Sequence, residues 1–463
     1  MNTALHVDLP RERAEGCFQD FKKALNAVEA TQEAHRCINC FDAPCTHACP
    51  TTIDIPKFIR RIAAGQPAAA GKTILEANIF GHSCAVACPV EVLCEGACVY
   101  HALDKKPISI GKLQRFALET SGSERRDFFS PGDLAQAGPT IQPTPKPVAL
   151  IGAGPASLAC AHELRRLGYA TTVFEKAPLP GGLNTSGIAP YKMRAETSVN
   201  EIRDIVEPMG IEIRYGRTLG NNLKWDELLN QNSYSAVFLG LGLGPDTELN
   251  VEGHEHAKIL GAVAFVHALK TRPLKELEST LGSRETALVV GGGNTALDAC
   301  RELKGFGFAR VVLSYRRGKN SMSGYLHEAK AAAVEGVEFE YHTVPRTFSV
   351  QNGSDRVHAT LAKTEVRDGR VVLTDQNRAT LACDLVLLAI GQSGLERTLN
   401  YPGLVWKDGN LVVDPATGQT SLPRVFAGGD LVNGGKEVVN AVAEGKRAAH
   451  GIDQMLRGVV QRG

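Results

Sequence analysis

Cysteine is concentrated at the start of this 463-residue chain, where nine of the twelve cysteines lie within the first hundred residues. Cys37, Cys40, Cys45 and Cys49 follow one another at short intervals in the run C-I-N-C-F-D-A-P-C-T-H-A-C-P, which Pro50 closes. A second block follows at Cys84, Cys88, Cys94 and Cys98. Thiols clustered so densely point to metal sites or to disulfides.

The spacing of the first run favours iron–sulfur clusters. A C-x-x-C turn lets two thiolates reach the same iron–sulfur site. A further cysteine followed by C-P is typical of [4Fe–4S] ligation, in which the last cysteine often binds a second cluster. Zinc sites usually pair two C-x-x-C units at a regular separation, and disulfide frameworks are typical of secreted chains. Zinc and disulfides are therefore the weaker alternatives.

The composition is that of an ordinary soluble globular protein, with 43% hydrophobic and 22% charged residues. A net charge of +1 gives no field that would attract nucleic acid or an anionic membrane surface. No apolar run approaches the roughly 18–20 residues of a membrane-spanning helix, and the first residues lack the apolar core of a signal peptide. We therefore expect a cytoplasmic protein without nucleic-acid or membrane partners, in a compartment where clustered thiols bind metal.

Length and pattern together predict three structural units. Residues 1–140 are expected to form a small α-helical iron–sulfur domain, which begins with a helix over 11–36. Residues 121–147 are rich in Gly, Pro, Ser and Gln, and this composition predicts an extended linker to the rest of the chain.

A strand, a glycine turn, a helix and a second strand follow one another from Val148, in V-A-L-I-G-A-G-P-A-S-L-A-C-A-H-E-L-R-R-L-G-Y-A-T-T-V-F-E. This order is typical of a dinucleotide-binding βαβ unit. Gly152 makes the tight turn, and Gly154 lets the backbone approach a pyrophosphate at the helix N-terminus. Glu175 ends the second strand, where a carboxylate accepts a hydrogen bond from an adenosine ribose hydroxyl. Ser157 replaces the usual third glycine.

The same pattern returns in T-A-L-V-V-G-G-G-N-T-A-L-D-A-C-R-E-L, which predicts a second dinucleotide turn formed by Gly291, Gly293 and Asn294. The strand that follows ends in Arg316-Arg317 rather than in an acid. Arginine at this position accommodates a 2′-phosphate, which an acid would repel, so the pattern favours NADPH over NADH. Two such units in one chain predict two bound dinucleotides.

Near the C-terminus, D-L-V-L-L-A-I-G-Q and R-V-F-A-G-G-D-L-V predict two strands, the second entering a turn at Asp430. This carboxylate would accept from a flavin ribitol hydroxyl, and the helix from Val438 would direct its N–H groups at the isoalloxazine. These motifs therefore predict an FAD domain that is split in sequence. Residues 147–245 are its first part, 246–384 an inserted NAD(P)H domain, and 385–463 its second part.

Together these motifs resemble the FAD and iron–sulfur half of dihydropyrimidine dehydrogenases, which in bacteria is a separate subunit of the PreT type. The chain is similar, more distantly, to the small subunit of glutamate synthase. The most specific pieces are R-C-I-N-C-F-D-A-P-C-T-H-A-C-P-T-T-I-D-I-P-K-F-I, C-P-V-E-V-L-C-E-G-A-C and P-I-S-I-G-K-L-Q-R-F. The resemblance implies an α-helical [4Fe–4S] domain followed by two α/β Rossmann-like nucleotide-binding domains, as in disulfide reductases.

The resemblance also implies that the two cysteine blocks share their cluster ligands. One cluster would be bound by Cys37, Cys40, Cys45 and Cys98, and the other by Cys49, Cys88, Cys94 and the amide oxygen of Gln114. Cys84 then matches a non-ligand cysteine. The alternative is one cluster per cysteine block, with Cys84 as a ligand and Gln114 free. A glutamine ligand would leave its cluster with one fewer thiolate charge and so alter its potential.

For the nucleotides the resemblance implies two sets of residues. The FAD set, to which the C-terminal helix adds Val438, is Gly152, Ala153, Gly154, Pro155, Ala156, Glu175, Gly182, Leu183, Lys192, Gly429 and Asp430. The nicotinamide-nucleotide set is Gly292, Gly293, Asn294, Thr295, Arg316 and Arg317. Ser323 replaces a basic residue of the NADPH-using enzymes, and the acids that NADH-dependent subunits carry in this loop are absent. NADPH and NADH therefore both stay candidates.

The expected function is an electron-input subunit. Hydride would pass from NAD(P)H to FAD, and single electrons would then pass through two [4Fe–4S] clusters. Electrons would leave through the clusters, because Cys160, Cys300 and Cys383 are isolated and form no C-x-x-C dithiol in the nucleotide domains.

The expected function also requires a partner subunit that accepts the electrons. An FMN-bearing barrel needs about 250 residues, for which the three predicted units leave no room. We therefore expect a hetero-oligomer with an FMN-containing subunit that reduces uracil and thymine. The alternatives are the small (beta) subunit of an NADPH-dependent glutamate synthase, or a non-catalytic redox sensor or scaffold.

Overall fold

The structure is a computed structural model, and it describes residues 9–134, 146–230, 233–351, 354–399 and 401–458. The helices of the first domain are α1 Ala27–His35, α2 Pro44–His47, α3 Ile55–Ala63, α4 Pro67–Ala77, α5 Gly81–Ala87 and α6 Ile110–Ser121. The elements that follow are β1 Val148–Ile151, α7 Pro155–Arg166, β2 Thr171–Phe174, α8 Leu183–Ser186, α9 Ala195–Met209, β3 Glu212–Arg214, α10 Trp225–Leu229 and β4 Ala236–Leu239.

The central part of the chain contains β5 Ile259–Gly261, α11 Ala262–Thr271, α12 Leu274–Leu281, β6 Thr286–Val290, α13 Asn294–Gly305, β7 Arg310–Tyr315, α14 Leu326–Val334, β8 Val337–Tyr341, β9 Thr343–Val350, β10 Val357–Arg367, β11 Arg370–Cys383 and β12 Leu385–Leu388. The last part contains β13 Trp406–Lys407, β14 Asn410–Leu411, β15 Val425–Ala427, α15 Asp430–Asn433 and α16 Val438–Leu456. Short 3-10 helices lie at Ala14–Cys17, Val90–Val92, Val99–Leu103, Gly122–Asp127 and Lys319–Ser321.

The first domain is a group of short helices around one apolar core. Asn26 begins α1 through a capping box with Glu29, and Asp54 begins α3 by accepting a hydrogen bond from the Lys57 N–H. The core is formed by α3, α4 and α6, with the buried side chains of Phe58, Ile59, Ile74, Leu113 and Leu118. The loops that carry the cysteines are therefore anchored on a packed scaffold.

The helix predicted over 11–36 is wrong for its first half, because only Ala27–His35 is α-helical. The preceding backbone instead pairs with the loop before α12, where the Ala14 N–H donates to the Arg272 carbonyl oxygen at 3.1 Å. Phe18 packs edge-on against Phe306, with ring centroids 4.8 Å apart. These tertiary contacts override the helical pattern and tie the start of the chain to the second nucleotide domain.

The linker predicted over 121–147 falls partly outside the described residues, which stop at 134 and resume at 146. Its first part is not extended. It begins with the 3-10 helix Gly122–Asp127, and ion pairs then hold it to α9 and α7. These are Arg125 with Asp204 at 2.8 Å and Arg166 with Asp133 at 2.9 Å.

The first sheet is parallel, with strand order β15-β4-β1-β2-β3. Every residue of β1 and β4 is buried, as expected for a parallel sheet that is covered on both faces. Helices α7 and α16 pack against each other and against this sheet. Because β15 pairs with β4, segments from both sides of a long insertion build one domain.

The insertion forms a second parallel sheet, with strand order β5-β12-β6-β7-β8. The predicted boundary at 384/385 is corrected here, because β12 pairs with β6 and β5 rather than with the FAD-domain strands. All four residues of β12 are buried, and the chain returns to the first sheet only after them.

An antiparallel sheet, β9-β10-β11, covers one face of the second sheet. Its apolar side chains, which include Phe348, Val357 and Leu361, share a core with Leu288 and Val386. Among the described helices, none combines the length and the apolar character needed to cross a membrane.

Candidate functional site: one cavity and two sets of cysteines

One cavity of about 2320 Å³ is bordered by the first domain and by both parallel sheets. This volume exceeds the roughly 300–1,000 Å³ of a pocket for one drug-sized ligand, so two dinucleotides have room. The structure brings together in its wall Gly152, Gly154, Pro155, Ala156, Glu175, Gly182, Leu183, Lys192, Gly292, Gly293, Asn294, Thr295, Arg316, Arg317, Gly429, Asp430 and Val438. Ala153 is the one predicted nucleotide residue outside that wall, and it is fully buried.

The first glycine turn joins β1 to α7. Gly152 has a φ of +90°, and a Cβ there would lie 2.5 Å from the carbonyl oxygen of the residue after β4. Gly154 precedes α7, so the positive end of that helix borders the cavity. The Glu175 carboxylate accepts from the Ala153 and Ala177 N–H groups at 2.6 and 2.7 Å. These bonds hold the carboxylate where a ribose hydroxyl is predicted.

The second glycine turn joins β6 to α13. Gly291 has a φ of +150°, and a Cβ there would lie 2.2 Å from the carbonyl oxygen of the residue after β12. Gly293 precedes α13, and the side chain of Asn294 accepts from the Tyr325 N–H at 2.8 Å. Arg316 and Arg317, at the end of β7, also line the cavity. A helix N-terminus and two guanidinium groups suit an anionic dinucleotide.

The C-terminal part of the chain contributes a carboxylate and a helix end. Burial raises the pKa of Asp430, which accepts a hydrogen bond from the Lys436 N–H at 3.3 Å. The nineteen-residue helix α16 begins at Val438, which borders the cavity. A hydrogen-bond acceptor and a positive helix end fit the predicted flavin at this place.

The partners of Lys192 had no signal in the sequence. Its Nζ lies 2.7 Å from Asp298 Oδ1 and 2.9 Å from Glu328 Oε1. Burial opposes the charge, but the two carboxylates outweigh it and raise the pKa of Lys192. Lys192 lies between α8 and α9 of the first nucleotide domain, whereas its partners lie on α13 and α14 of the second. The ion pairs therefore join the two domains at the cavity.

A second contact between these domains is formed by Tyr325. Its hydroxyl donates to Glu437 Oε1 at 2.8 Å, and Glu437 is the N-cap residue of α16. The ring stacks on His327, with centroids 5.7 Å apart. Tyr325 and Glu437 both line the cavity, so the loop before α14 reaches from one nucleotide turn to the predicted flavin helix.

One set of cysteines surrounds a small apolar pocket and is here called the outer set: Cys37, Cys40, Cys45 and Cys98. Ile55, Ile59 and Tyr100 also line this pocket. Burial raises the pKa of Cys45 to about 11, and the other three thiols add to the shift. Cys98, from the second block, therefore lies with the first three cysteines. Four thiols around an apolar pocket fit a [4Fe–4S] cluster.

The remaining predicted cysteine ligands are here called the inner set: Cys49, Cys88 and Cys94. Cys49 is buried in the core of the first domain, and Cys88 and Cys94 pack against that core. Burial raises the pKa of Cys94, and Glu95, Cys88 and Cys49 raise it further. Cys88 also lines the large cavity, so this set borders the space in which the two nucleotides are predicted.

Two candidates compete as the fourth ligand of the inner set, and both are tied to α5, the helix before Cys88. Gln114 on α6 is buried, and its Nε2 donates to the Gly81 carbonyl oxygen at 2.6 Å. The Cys88 N–H donates to the carbonyl oxygen of Cys84 at 3.0 Å, and the Cys84 sulfur accepts from Asn78 Nδ2 at 3.2 Å. The choice of Gln114 over Cys84 stays a prediction.

Within the described residues, no three His, Cys, Asp or Glu side chains come close enough to hold a single metal ion. In a [4Fe–4S] cluster each protein ligand binds a different iron, so the ligands stand further apart than around one ion. The cluster ligand sets stay predictions.

Comparison with family models matches residues 146–445 to the model described as pyridine nucleotide-disulphide oxidoreductase. The chain belongs to the pyridine nucleotide-disulphide oxidoreductase family. Residues 13–126 match a second model, described as dihydropyrimidine dehydrogenase domain II, 4Fe-4S cluster. The chain is thus an oxidoreductase of this family with an iron–sulfur domain, and FAD, a nicotinamide nucleotide and [4Fe–4S] are its cofactors.

Curated relatives match along nearly the whole chain. It is 32% identical to the NAD-dependent dihydropyrimidine dehydrogenase subunit PreT of Escherichia coli, over 95% of this chain and 98% of that protein. It is 30% identical to the glutamate synthase [NADPH] small chain of the same organism, over 95% of this chain and 94% of that protein. It is also 33% identical to the NADP(+)-dependent formate dehydrogenase subunit beta of Moorella thermoacetica, covering 90% of this chain and 60% of that protein.

Solved structures share the fold of the nucleotide-binding part. FprA from Mycobacterium tuberculosis, in complex with NADPH, superposes with a TM-score of 0.54 at 20% identity, over 68% of this chain and 86% of that one. Thioredoxin reductase from Lactococcus lactis superposes with a TM-score of 0.52 at 20% identity, over 68% of this chain and 99% of that one. Both confirm the predicted disulfide-reductase-like fold.

Proposed function

We propose that this chain is the electron-input subunit of a dihydropyrimidine dehydrogenase. Its FAD would accept hydride from NAD(P)H, and two [4Fe–4S] clusters would carry single electrons to a partner FMN subunit that reduces uracil and thymine to 5,6-dihydropyrimidines. One observation carries the proposal. A single cavity is lined by both dinucleotide turns and by Cys88 of the inner set.

The side chains of this cavity bind and orient the two nucleotides. The turns at Gly152 and Gly291 admit a pyrophosphate against the backbone, and the α7 and α13 N-termini stabilise its charge. Arg316 and Arg317 would contact an adenosine phosphate, which favours NADPH without excluding NADH. Lys192, held by Asp298 and Glu328, fixes how the two domains face each other.

The cysteines of the nucleotide domains offer no alternative route by which electrons could leave. Cys160, Cys300 and Cys383 are each fully buried in apolar cores. Burial raises the pKa of each of these three thiols. Electrons therefore leave through the cysteines of the first domain.

The relatives support a partner subunit, since their names describe them as subunits or as a small chain. The similarity to the glutamate synthase small chain covers as much of this chain as that to PreT. A glutamate synthase small subunit is therefore the second candidate.

The test is a reconstitution under anaerobic conditions. The purified chain should contain one FAD and about eight irons. Mixed with an FMN-containing pyrimidine-reducing subunit, it should oxidise NAD(P)H only when uracil or thymine is present. Turnover that instead requires a glutamate synthase large chain, 2-oxoglutarate and glutamine would assign the second candidate. A chain that binds zinc without iron would exclude both.

A further inference from the structure

The loop that carries Cys37 and Cys40 also has an exposed apolar rim. Phe41 is fully exposed, at 107% of its reference accessibility, and Ile38 is 59% exposed. Asn39 adopts a left-handed φ of +53°, and its Nδ2 donates to the Cys37 carbonyl oxygen at 3.2 Å. This turn leaves both cysteines partly buried while the two large apolar side chains face solvent.

The position of Ile38 and Phe41 distinguishes them from ordinary exposed apolar residues. Single exposed apolar side chains are common on soluble proteins and need no explanation. Here, however, two of them flank Cys40, one of four thiols around a single pocket, which Ile38 also lines. Neither the folding core nor the nucleotide cavity uses the Phe41 ring.

The two cysteine sets stand at different distances from the nucleotide cavity. Cys88 of the inner set lines that cavity, whereas none of the outer-set cysteines does. Electrons that enter at the cavity therefore meet the inner set first. Because electron transfer slows steeply with distance, an acceptor protein must approach the outer set closely, and the loop with Ile38 and Phe41 is the exposed edge of that set.

We propose that Ile38 and Phe41 are the apolar anchor on which the electron-accepting subunit docks. This inference rests on the proposed function and extends it to a surface. Aromatic side chains often dominate the binding energy of such interfaces, and redox interfaces are often small. A net charge of +1 gives the chain as a whole little long-range attraction for a partner, so the proposal places the affinity in short-range apolar contact.

The partner that docks on Ile38 and Phe41 is a protein that carries its own redox group near its surface, rather than a second copy of this chain. A second copy would place two identical outer sets against each other and would provide no acceptor. The relatives, described as subunits or as a small chain, agree with an unlike partner.

The experiment compares Phe41→Ser with Val334→Ser in the full-length holoprotein. Val334, on α14 of the second nucleotide domain, is 89% exposed and serves as the matched control. The probes are the FMN-containing pyrimidine-reducing subunit and the glutamate synthase large chain, and the Kd of the one that accepts electrons is measured. We expect Phe41→Ser to raise that Kd about 10-fold or more, with iron, FAD and NAD(P)H–ferricyanide activity unchanged. Val334→Ser should match the unmodified chain.

A second variant guards against loss of the cluster in Phe41→Ser. A photo-crosslinking phenylalanine analogue at position 41 keeps the ring and should crosslink to the accepting subunit, while the same analogue at 334 should not. An unchanged Kd together with no crosslink from position 41 would overturn the docking surface and leave the proposed function intact. A change from dimer to monomer in isolated Phe41→Ser would also overturn it, in favour of self-association. Acceptance of electrons by neither probe would overturn both proposals.

Discussion

The outer and inner cysteine sets contain the same ligand type in different surroundings. The outer set surrounds an apolar pocket beneath an exposed loop, with Phe41 in solvent. The inner set includes a cysteine in the wall of the nucleotide cavity. Position, rather than ligand chemistry, is therefore the basis on which the proposed function assigns the inner set to the entry of electrons and the outer set to their exit.

The inner set is also tied to the FAD domain by buried polar contacts at the start of α5. The Glu201 carboxylate on α9 accepts from the His82 and Ser83 N–H groups at 2.7 and 3.1 Å. Asn184 on α8 donates to Ser83 Oγ at 3.0 Å. These bonds satisfy the free N–H groups of a helix N-terminus across a domain boundary. They hold the helix that leads to Cys88 in a fixed place beside the cavity.

The largest expected effect comes from removing one ligand of each set. Cys88→Ser and Cys40→Ser should each lose about half of the bound iron and reduce partner-dependent NAD(P)H oxidation to background. Only Cys88→Ser should also alter the FAD absorption spectrum, because only Cys88 borders the cavity. Iron analysis and flavin spectroscopy of the two variants measure this. Identical flavin spectra in both would contradict the different placement of the two sets.

A smaller effect is expected from the contact that anchors the inner set. Glu201→Ala leaves buried N–H groups unpaired, and we expect a loss of about 3 kcal/mol in the free energy of unfolding. The matched control is Glu29→Ala, which removes the exposed capping box before the outer set and should cost about 1 kcal/mol. Urea titrations compare the two variants. A larger loss for Glu29→Ala would reverse the predicted order.

The fourth ligand of the inner set can be tested without unfolding the protein. Gln114→Leu should change the electron paramagnetic resonance signal of one cluster and leave the other unchanged. Cys84→Ser should leave both signals nearly unchanged. The reverse pattern would assign Cys84 as the ligand and would make Gln114 only a donor to the Gly81 carbonyl.

The last expected effect is seen only at acid pH. Burial lowers the pKa of His162 on α7 to about 3, from an ordinary value of 6.5. Between these pH values the unfolded chain binds a proton that the folded chain does not, so His162 makes stability rise with pH. Thermal unfolding should therefore depend less on pH in His162→Phe than in the unmodified chain. An equally steep pH dependence in His162→Phe would contradict this assignment.

The sequence predicted the elements with strong local patterns. The glycine turns at Gly152 and Gly291, the fold class and the iron–sulfur domain all depend on residues close together in the chain. The helix predicted over 11–36 is wrong in its first half, because backbone pairing with Arg272 replaces the helical conformation there. The strand β12 was assigned to the wrong domain, since a buried apolar run does not show which sheet it joins.

Contacts between distant segments could not be predicted at all. The Lys192 ion pairs, the Tyr325–Glu437 hydrogen bond and the Glu201 contacts each join different domains. No periodicity or local motif encodes such pairs, because their geometry depends on how whole domains pack. The exposure of Phe41 likewise follows from a turn that the cysteine spacing alone does not define.

The most direct measurement is anomalous scattering from iron in anaerobically grown crystals of the holoprotein. We expect two clusters, one bound by Cys37, Cys40, Cys45 and Cys98, and one bound by Cys49, Cys88 and Cys94 beside the FAD. A cluster bound by Cys84, Cys88, Cys94 and Cys98 would contradict this, because each cysteine block would then hold its own cluster and the division into outer and inner sets would fail.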